Sequence, residues 1–167
     1  DGETYICGNP PYVWSNDQSA EQKIDIETIV AGRLKSTKTL NYVSGWFLKS
    51  VEHIRRSGSQ VALVSTNTVC QGQSVSTLWP LILSPECEVG FAHTSFKWRN
   101  LASNNAGVTV VIVGLRYPNK IQKKIFWEDE DGHLAGKSVD HISPYLIPGG
   151  DVIVAKHNKP ISDRPDL

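Results

Sequence analysis

The sequence has no excess of charge of either sign: 17 Lys and Arg balance 17 Asp and Glu over 167 residues. A chain so balanced has no overall attraction for nucleic acid or an anionic membrane, so any such contact rests on local positive charge or on another domain. Cysteine is scarce, with only Cys7, Cys70 and Cys87. Their wide spacing, with no Cys-x-x-Cys and no nearby His, forms no zinc pattern and suits buried, reduced thiols of a cytoplasmic protein. Long apolar runs are missing too, and no N-terminal segment reads as a signal peptide, so a membrane partner is not expected. The chain starts at Asp1 rather than Met, which suits a fragment or a processed chain. What is present is ordinary: 40% hydrophobic and 20% charged residues, enough to bury a sizeable core in one domain or one large piece of a domain.

Tyr5, Ile6 and Cys7 read as the buried end of a short strand that stops at Gly8-Asn9-Pro10-Pro11. A proline pair continues neither a sheet ladder nor a helix. Between Ser15 and Thr39, Ile26, Ile29, Val30 and Leu34 suit one face of a helix or a folded flap. Leu40, Val43, Phe47, Val51 and Ile54 then recur at helical spacing up to Arg56, and Gly58 supplies a stop. Val61-Ala62-Leu63-Val64, within Gln60 to Thr66, predicts a strand buried on both faces, parallel and central. A second helix is expected between Ser74 and Leu83, shortened or kinked by Pro80.

Glu88 to Phe96 and Val108 to Leu115 read as strands, with Lys97 to Gly107 a loop joining antiparallel neighbours. A hairpin is expected around Asp131-Gly132. Across it Lys120, Lys123 and Lys124 face the acidic run from Glu128 to Asp131 as a plain charged surface. Val152 to Ala155 reads as a last strand. This order is half of a doubly wound α/β sheet with an antiparallel edge. Ligands in such sheets sit beyond the carboxyl ends of the strands, where Asn9 to Tyr12 falls.

Asn9-Pro10-Pro11-Tyr12 makes chemical sense as a clamp for a planar nitrogen. The exocyclic amine of adenine is a poor nucleophile because its lone pair is delocalised into the ring. Acceptors on its two N–H groups, the Asn9 side-chain oxygen and the Pro10 carbonyl, would pull it towards tetrahedral geometry. Pro10 and Pro11 stiffen the loop in advance, and Tyr12 offers a face on which an extruded base can stack. An activated methyl sulfonium would need no metal and no covalent intermediate. Taken alone, the four residues also suit a rigid turn with a tyrosine packed beside it; their place at a strand tip favours the clamp. A WW-domain ligand is disfavoured, since Pro10-Pro11-Tyr12-Val13 lacks the Pro-Pro-x-Tyr order.

Gly8-Asn9-Pro10-Pro11-Tyr12 resembles motif IV of class I amino-methyltransferases, and segments downstream resemble the MmeI-like (type IIL) restriction–modification enzymes and the related YeeA-type DNA methylases. Those segments are Leu40 to Trp46, Val64 to Thr68 with Gln71-Gly72-Gln73, Leu78-Trp79-Pro80, Phe91 to Asn100, Val110 to Gly114, Pro144-Tyr145-Leu146 and Lys159 to Asp163. They run nearly end to end. The resemblance implies the C-terminal part of a Rossmann-like, S-adenosylmethionine-dependent methyltransferase sheet over 1–117. Residues 118–167 would then be a hairpin and linker towards a DNA-recognition domain. It further implies methylation of adenine N6 in double-stranded DNA in the bacterial cytoplasm.

By that resemblance Phe96, or else Trp98, supplies an aromatic contact to the flipped base, with Lys97 and Arg99 near DNA phosphates. The glycine-rich cofactor loop is expected in the N-terminal remainder of the same polypeptide, so this chain alone is expected neither to hold S-adenosylmethionine tightly nor to methylate. His93 reads as a hydrogen-bonded histidine at a strand end, because amine methylation needs no strong base before methyl transfer. Cytosine N4, RNA guanine and protein glutamine pose the same lone-pair problem as adenine. A non-catalytic Rossmann-like binding module is the rival from a different class.

Overall fold

The computed structural model describes residues 3–98 and 108–154. Strands β1 (Tyr5–Gly8), β2 (Gln60–Thr66), β3 (Glu88–Trp98), β4 (Val108–Arg116), β5 (Lys123–Glu128) and β6 (Leu134–Val139) form one six-stranded sheet in the order β1-β2-β4-β3-β5-β6. β1 and β2 are parallel, as are β3 and β5; β4 runs antiparallel between β2 and β3, and β6 is antiparallel at the outer edge. β1, β2, β3 and β5 therefore all end on the same edge of the sheet. It is the α/β, Rossmann-like partial sheet expected, with an antiparallel strand at its edge and a second one inside it.

Of three α-helices, α1 (Ala20–Val30), α2 (Val43–Ser57) and α3 (Gly72–Ile82), α2 packs on the sheet at β2 and β4, and α1 and α3 pack against α2. The polar stretch after the proline pair resolves as α1, opened by a capping box between Ser19 and Gln22 and burying Ile26 and Val30. Gly45 lets α1 approach α2 closely: a Cβ there would stand 3.0 Å from Ile26 Cδ1 and 3.1 Å from Ile29 Cδ1. α2 lays Val43, Phe47, Val51 and Ile54 over β2 and β4, and ends where Gly58 takes a left-handed conformation. Leu40, expected in that helix, is buried just ahead of it. Pro80 lies inside α3 without ending it. Only two residues follow before Leu83 N–H closes onto the Trp79 carbonyl at 2.9 Å.

Five expectations are corrected. Tyr5, Ile6 and Cys7 do form a strand, but it is exposed, because β1 is an edge strand with β2 as its sole neighbour among the described residues. Cys7 is accordingly exposed, unlike Cys70 and Cys87, whose thiols burial pushes up to about 11 and about 12. β2 pairs in parallel with β1 as expected and lies inside the sheet, but it is not buried on both faces: Val61 and Leu63 are buried, Ala62 and Val64 half-buried. Lys123 turns from the acidic run to pair with Glu88 at 2.9 Å, since the strand order sets β5 beside β3. Residues 152–154 form no strand, with Val152 and Val154 exposed.

β3 runs on through Lys97 to Trp98, two residues past its predicted end. Residues 99–107, Ala155 and the segment Lys159 to Asp163 lie outside the described residues. No described helix is long and apolar enough to cross a membrane.

Candidate active site

Asn9 follows the last residue of β1, where the prolines turn the chain away from β2. Asn9 is exposed, Pro10 buried, Pro11 exposed and Tyr12 half-buried against the core. The Tyr12 hydroxyl donates to Asn9 Oδ1. Partial burial pushes the Tyr12 phenol above its usual value, so it stays protonated and able to donate at neutral pH. That bond decides which end of the Asn9 amide is held, and it occupies one of the two acceptor positions on Oδ1.

Asn9, Pro10 and Pro11 form a wall of an open groove of about 540 Å³ whose opposite side is α2. Trp46, Lys49, His53 and Arg56 line that side. These four were not singled out from the sequence, although their spacing places them on one helical face beside the buried stripe. The groove thus joins fixed acceptors at the strand tip to a basic helix flank.

The exit from the loop is tied down by polar contacts that had no assigned role. Asn41 is buried, accepts from the Ser15 backbone N–H on Oδ1 at 3.1 Å, and donates from Nδ2 to Thr68 Oγ1 at 3.3 Å. Thr68 Oγ1 lies 2.7 Å from Thr66 Oγ1 at the tip of β2. Tyr42 N–H donates to the Val13 carbonyl at 2.9 Å, and Gln18 Nε2 to the Leu40 carbonyl at 2.9 Å.

Phe96, Lys97 and Trp98 close β3 on the same edge as Asn9 but two strands further over than β2, with Phe96 in register with Val110 and Val110 with Thr66. Three strand spacings, about 14 Å, therefore separate the lines of β1 and β3. The sheet sets the two groups along one edge without bringing them into contact. Phe96 is half-buried, Lys97 and Trp98 are exposed, and Arg99 lies outside the described residues. A register shift between His93 and Phe96 brings their rings edge to face at 4.6 Å, and Trp98 follows at 6.3 Å from Phe96. His93 Nδ1 lies 2.8 Å from the Thr94 carbonyl, a local partner in keeping with a structural histidine.

Asp129, Asp131 and His133 cluster at the β5–β6 turn, exposed to solvent. Asp129 Oδ1 there accepts from the backbone N–H groups of Asp131 and His133, so the cluster follows from the turn itself.

This sheet, with its rigid proline turn at a strand tip beside an open groove, has the architecture of a methyltransferase. Residues 1–128 match the family described as MmeI, DNA-methyltransferase domain. The chain belongs to that family. It is 42% identical over 166 residues to DNA methyltransferase A of Bacillus subtilis (strain 168), covering 99% of this chain and 18% of that protein. The solved structure of the type IIL restriction-modification enzyme MmeI in complex with DNA superposes with a TM-score of 0.88 at 39% identity, over 96% of this chain and 22% of that one. The chain thus spans about a fifth of the length of these relatives.

Proposed function

We propose that this chain supplies the catalytic loop of an S-adenosylmethionine-dependent enzyme that methylates adenine N6 in double-stranded DNA. It would act within a larger restriction–modification polypeptide of the bacterial cytoplasm. The observation that carries this reading is the state of Asn9: exposed at the tip of β1, walling an open groove, its Oδ1 held by Tyr12. The free acceptor position on Oδ1 takes one N–H of the amine, and the Pro10 carbonyl takes the other. Both acceptors are fixed before the base arrives, so drawing the lone pair out of the ring costs little reorganisation.

S-Adenosylmethionine, when bound, supplies a methyl group already activated on a sulfonium; the Asn9–Pro11 wall of the groove is the part of this chain that fits beside it. The Tyr12 ring stacks on the flipped base, and Phe96 or Trp98, with Lys97, meets the nucleotide further along the same edge. Similarity to a methyltransferase solved with DNA and to a bacterial DNA methyltransferase supports DNA as the substrate.

Asn9→Ala in the full-length protein tests the clamp. Methylation should fall by at least about 100-fold, the scale seen when a transition-state hydrogen-bond partner is removed, while DNA binding persists. Methylation close to wild type would refute the clamp. Mass spectrometry of DNA from cells carrying the gene should show N6-methyladenine; N4-methylcytosine in its place would refute the choice of base.

A further inference from the structure

We infer that Asn41 is a positioning residue for methyl transfer, a buried amide that ties the exit limb of the Asn9–Tyr12 loop to the tip of β2. The inference rests on the function proposed above. Asn41 sits between the core residues Leu40 and Val43, where an apolar side chain would pack without a polar atom to satisfy. It instead uses both ends of its amide, accepting from Ser15 N–H at 3.1 Å and donating to Thr68 Oγ1 at 3.3 Å. Few side chains carry an acceptor and a donor on one short planar head, as this bridge requires.

Position passes from Asn41 to the clamp through a short path. Between Tyr12 and Ser15 lie only Val13 and Trp14, and the Val13 carbonyl is itself held by Tyr42 N–H at 2.9 Å. Upstream of Tyr12 the two prolines remove most of the remaining freedom. The loop is therefore pinned at the end of β1 and again at Ser15, and the second pin leans on Thr68 and, through it, on Thr66 at 2.7 Å. If the second pin is lost, the loop keeps its residues, but the two acceptors, Asn9 Oδ1 and the Pro10 carbonyl, drift from their positions. Displacements near 1 Å cost reactions of this kind about 100-fold.

The test uses the full-length protein and single-turnover methylation, which isolates the chemical step from product release. Asn41→Leu should lower the single-turnover rate by about 10- to 100-fold, with half-saturating DNA and S-adenosylmethionine concentrations within about threefold of wild type. Thr68→Val, of equal shape but without the hydroxyl, should lower the rate by about fivefold, and Thr68→Ser should restore it. Should Asn41→Leu fail to fold, the Thr68 pair decides. A wild-type rate in Asn41→Leu, equal rates in Thr68→Val and Thr68→Ser, or rate losses matched by equal losses of binding would each overturn the role. Asn9→Ala, run in parallel, separates the two claims. Retained methylation there sinks the proposed function, whereas loss there with an unaffected Asn41→Leu sinks only this inference.

Discussion

At the scale of single residues, the Tyr12 hydroxyl adds something that the proposed base-stacking role does not require. A phenylalanine would stack equally well on a purine, yet the hydroxyl donates to Asn9 Oδ1 and so orients the amide. An Asn side chain with neither end held can rotate to present its NH₂ group to the substrate, and two donors then face each other. Tyr12→Phe should therefore keep the affinity for DNA and lower the single-turnover methylation rate by about 3- to 10-fold, the worth of one neutral hydrogen bond. Tyr12→Ala should lower both. Equal rates for wild type and Tyr12→Phe would show that the hydroxyl holds nothing that chemistry needs. The proline turn itself was legible from four residues because Pro10 and Pro11 leave the chain almost no alternative. Asn41 was not, because a buried asparagine looks like any polar residue until its two partners, 26 residues before and 27 after, are known.

At the scale of elements, Glu88 shows how strand order creates an interaction that local reading missed. Its carboxylate meets Arg116 at 2.9 Å and Lys123 at 2.9 Å, where the ends of β3, β4 and β5 converge. Burial alone would push this acid up. The hydrogen bonds and charges of Lys123 and Arg116 outweigh it and hold the group below the ordinary carboxylate value. A depressed acid stabilises the fold fully above its unfolded pKa, about 4.3, and that stabilisation is lost as pH falls through the lower folded value. Glu88→Gln should cost about 2–3 kcal/mol at neutral pH, since it strands two mostly buried cations. The gap between wild type and variant in thermal melts should close as pH falls below about 4, and a gap constant across that range would contradict the assignment. Helix α2, by contrast, was legible because Val43, Phe47, Val51 and Ile54 repeat on one face. Helix α1 was legible only in part: Ile26 and Val30 are buried on one face as the helical alternative has it, but Ile24 is 60% exposed, so the apolar pattern left a helix and a folded flap both open.

At the scale of the whole molecule, the sheet carries its candidate site on one edge and leaves its β1 side open among the described residues. Tyr5 is 60% exposed and Trp46 50%, both bordering grooves that run along β1. Burial of β1 was mispredicted for the same reason: hydrophobic character says that a strand is to be covered, and not by what. On the proposed function, the glycine-rich loop on which S-adenosylmethionine rests is expected in the N-terminal remainder of the polypeptide, and the acceptors for the amine would then stand here apart from the cradle for the cofactor. Binding at 100 times Kd would stabilise the fold by about 2.7 kcal/mol, and a domain of this size gains about 2–4 °C for each kcal/mol. A chain that held the cofactor as the intact enzyme must would therefore melt at least about 5 °C higher with it. We expect under about 1 °C for this chain alone and the full shift for the full-length protein. A large shift in the isolated chain would move the cofactor site onto its own residues, with the groove between Asn9 and Arg56 the first place to look.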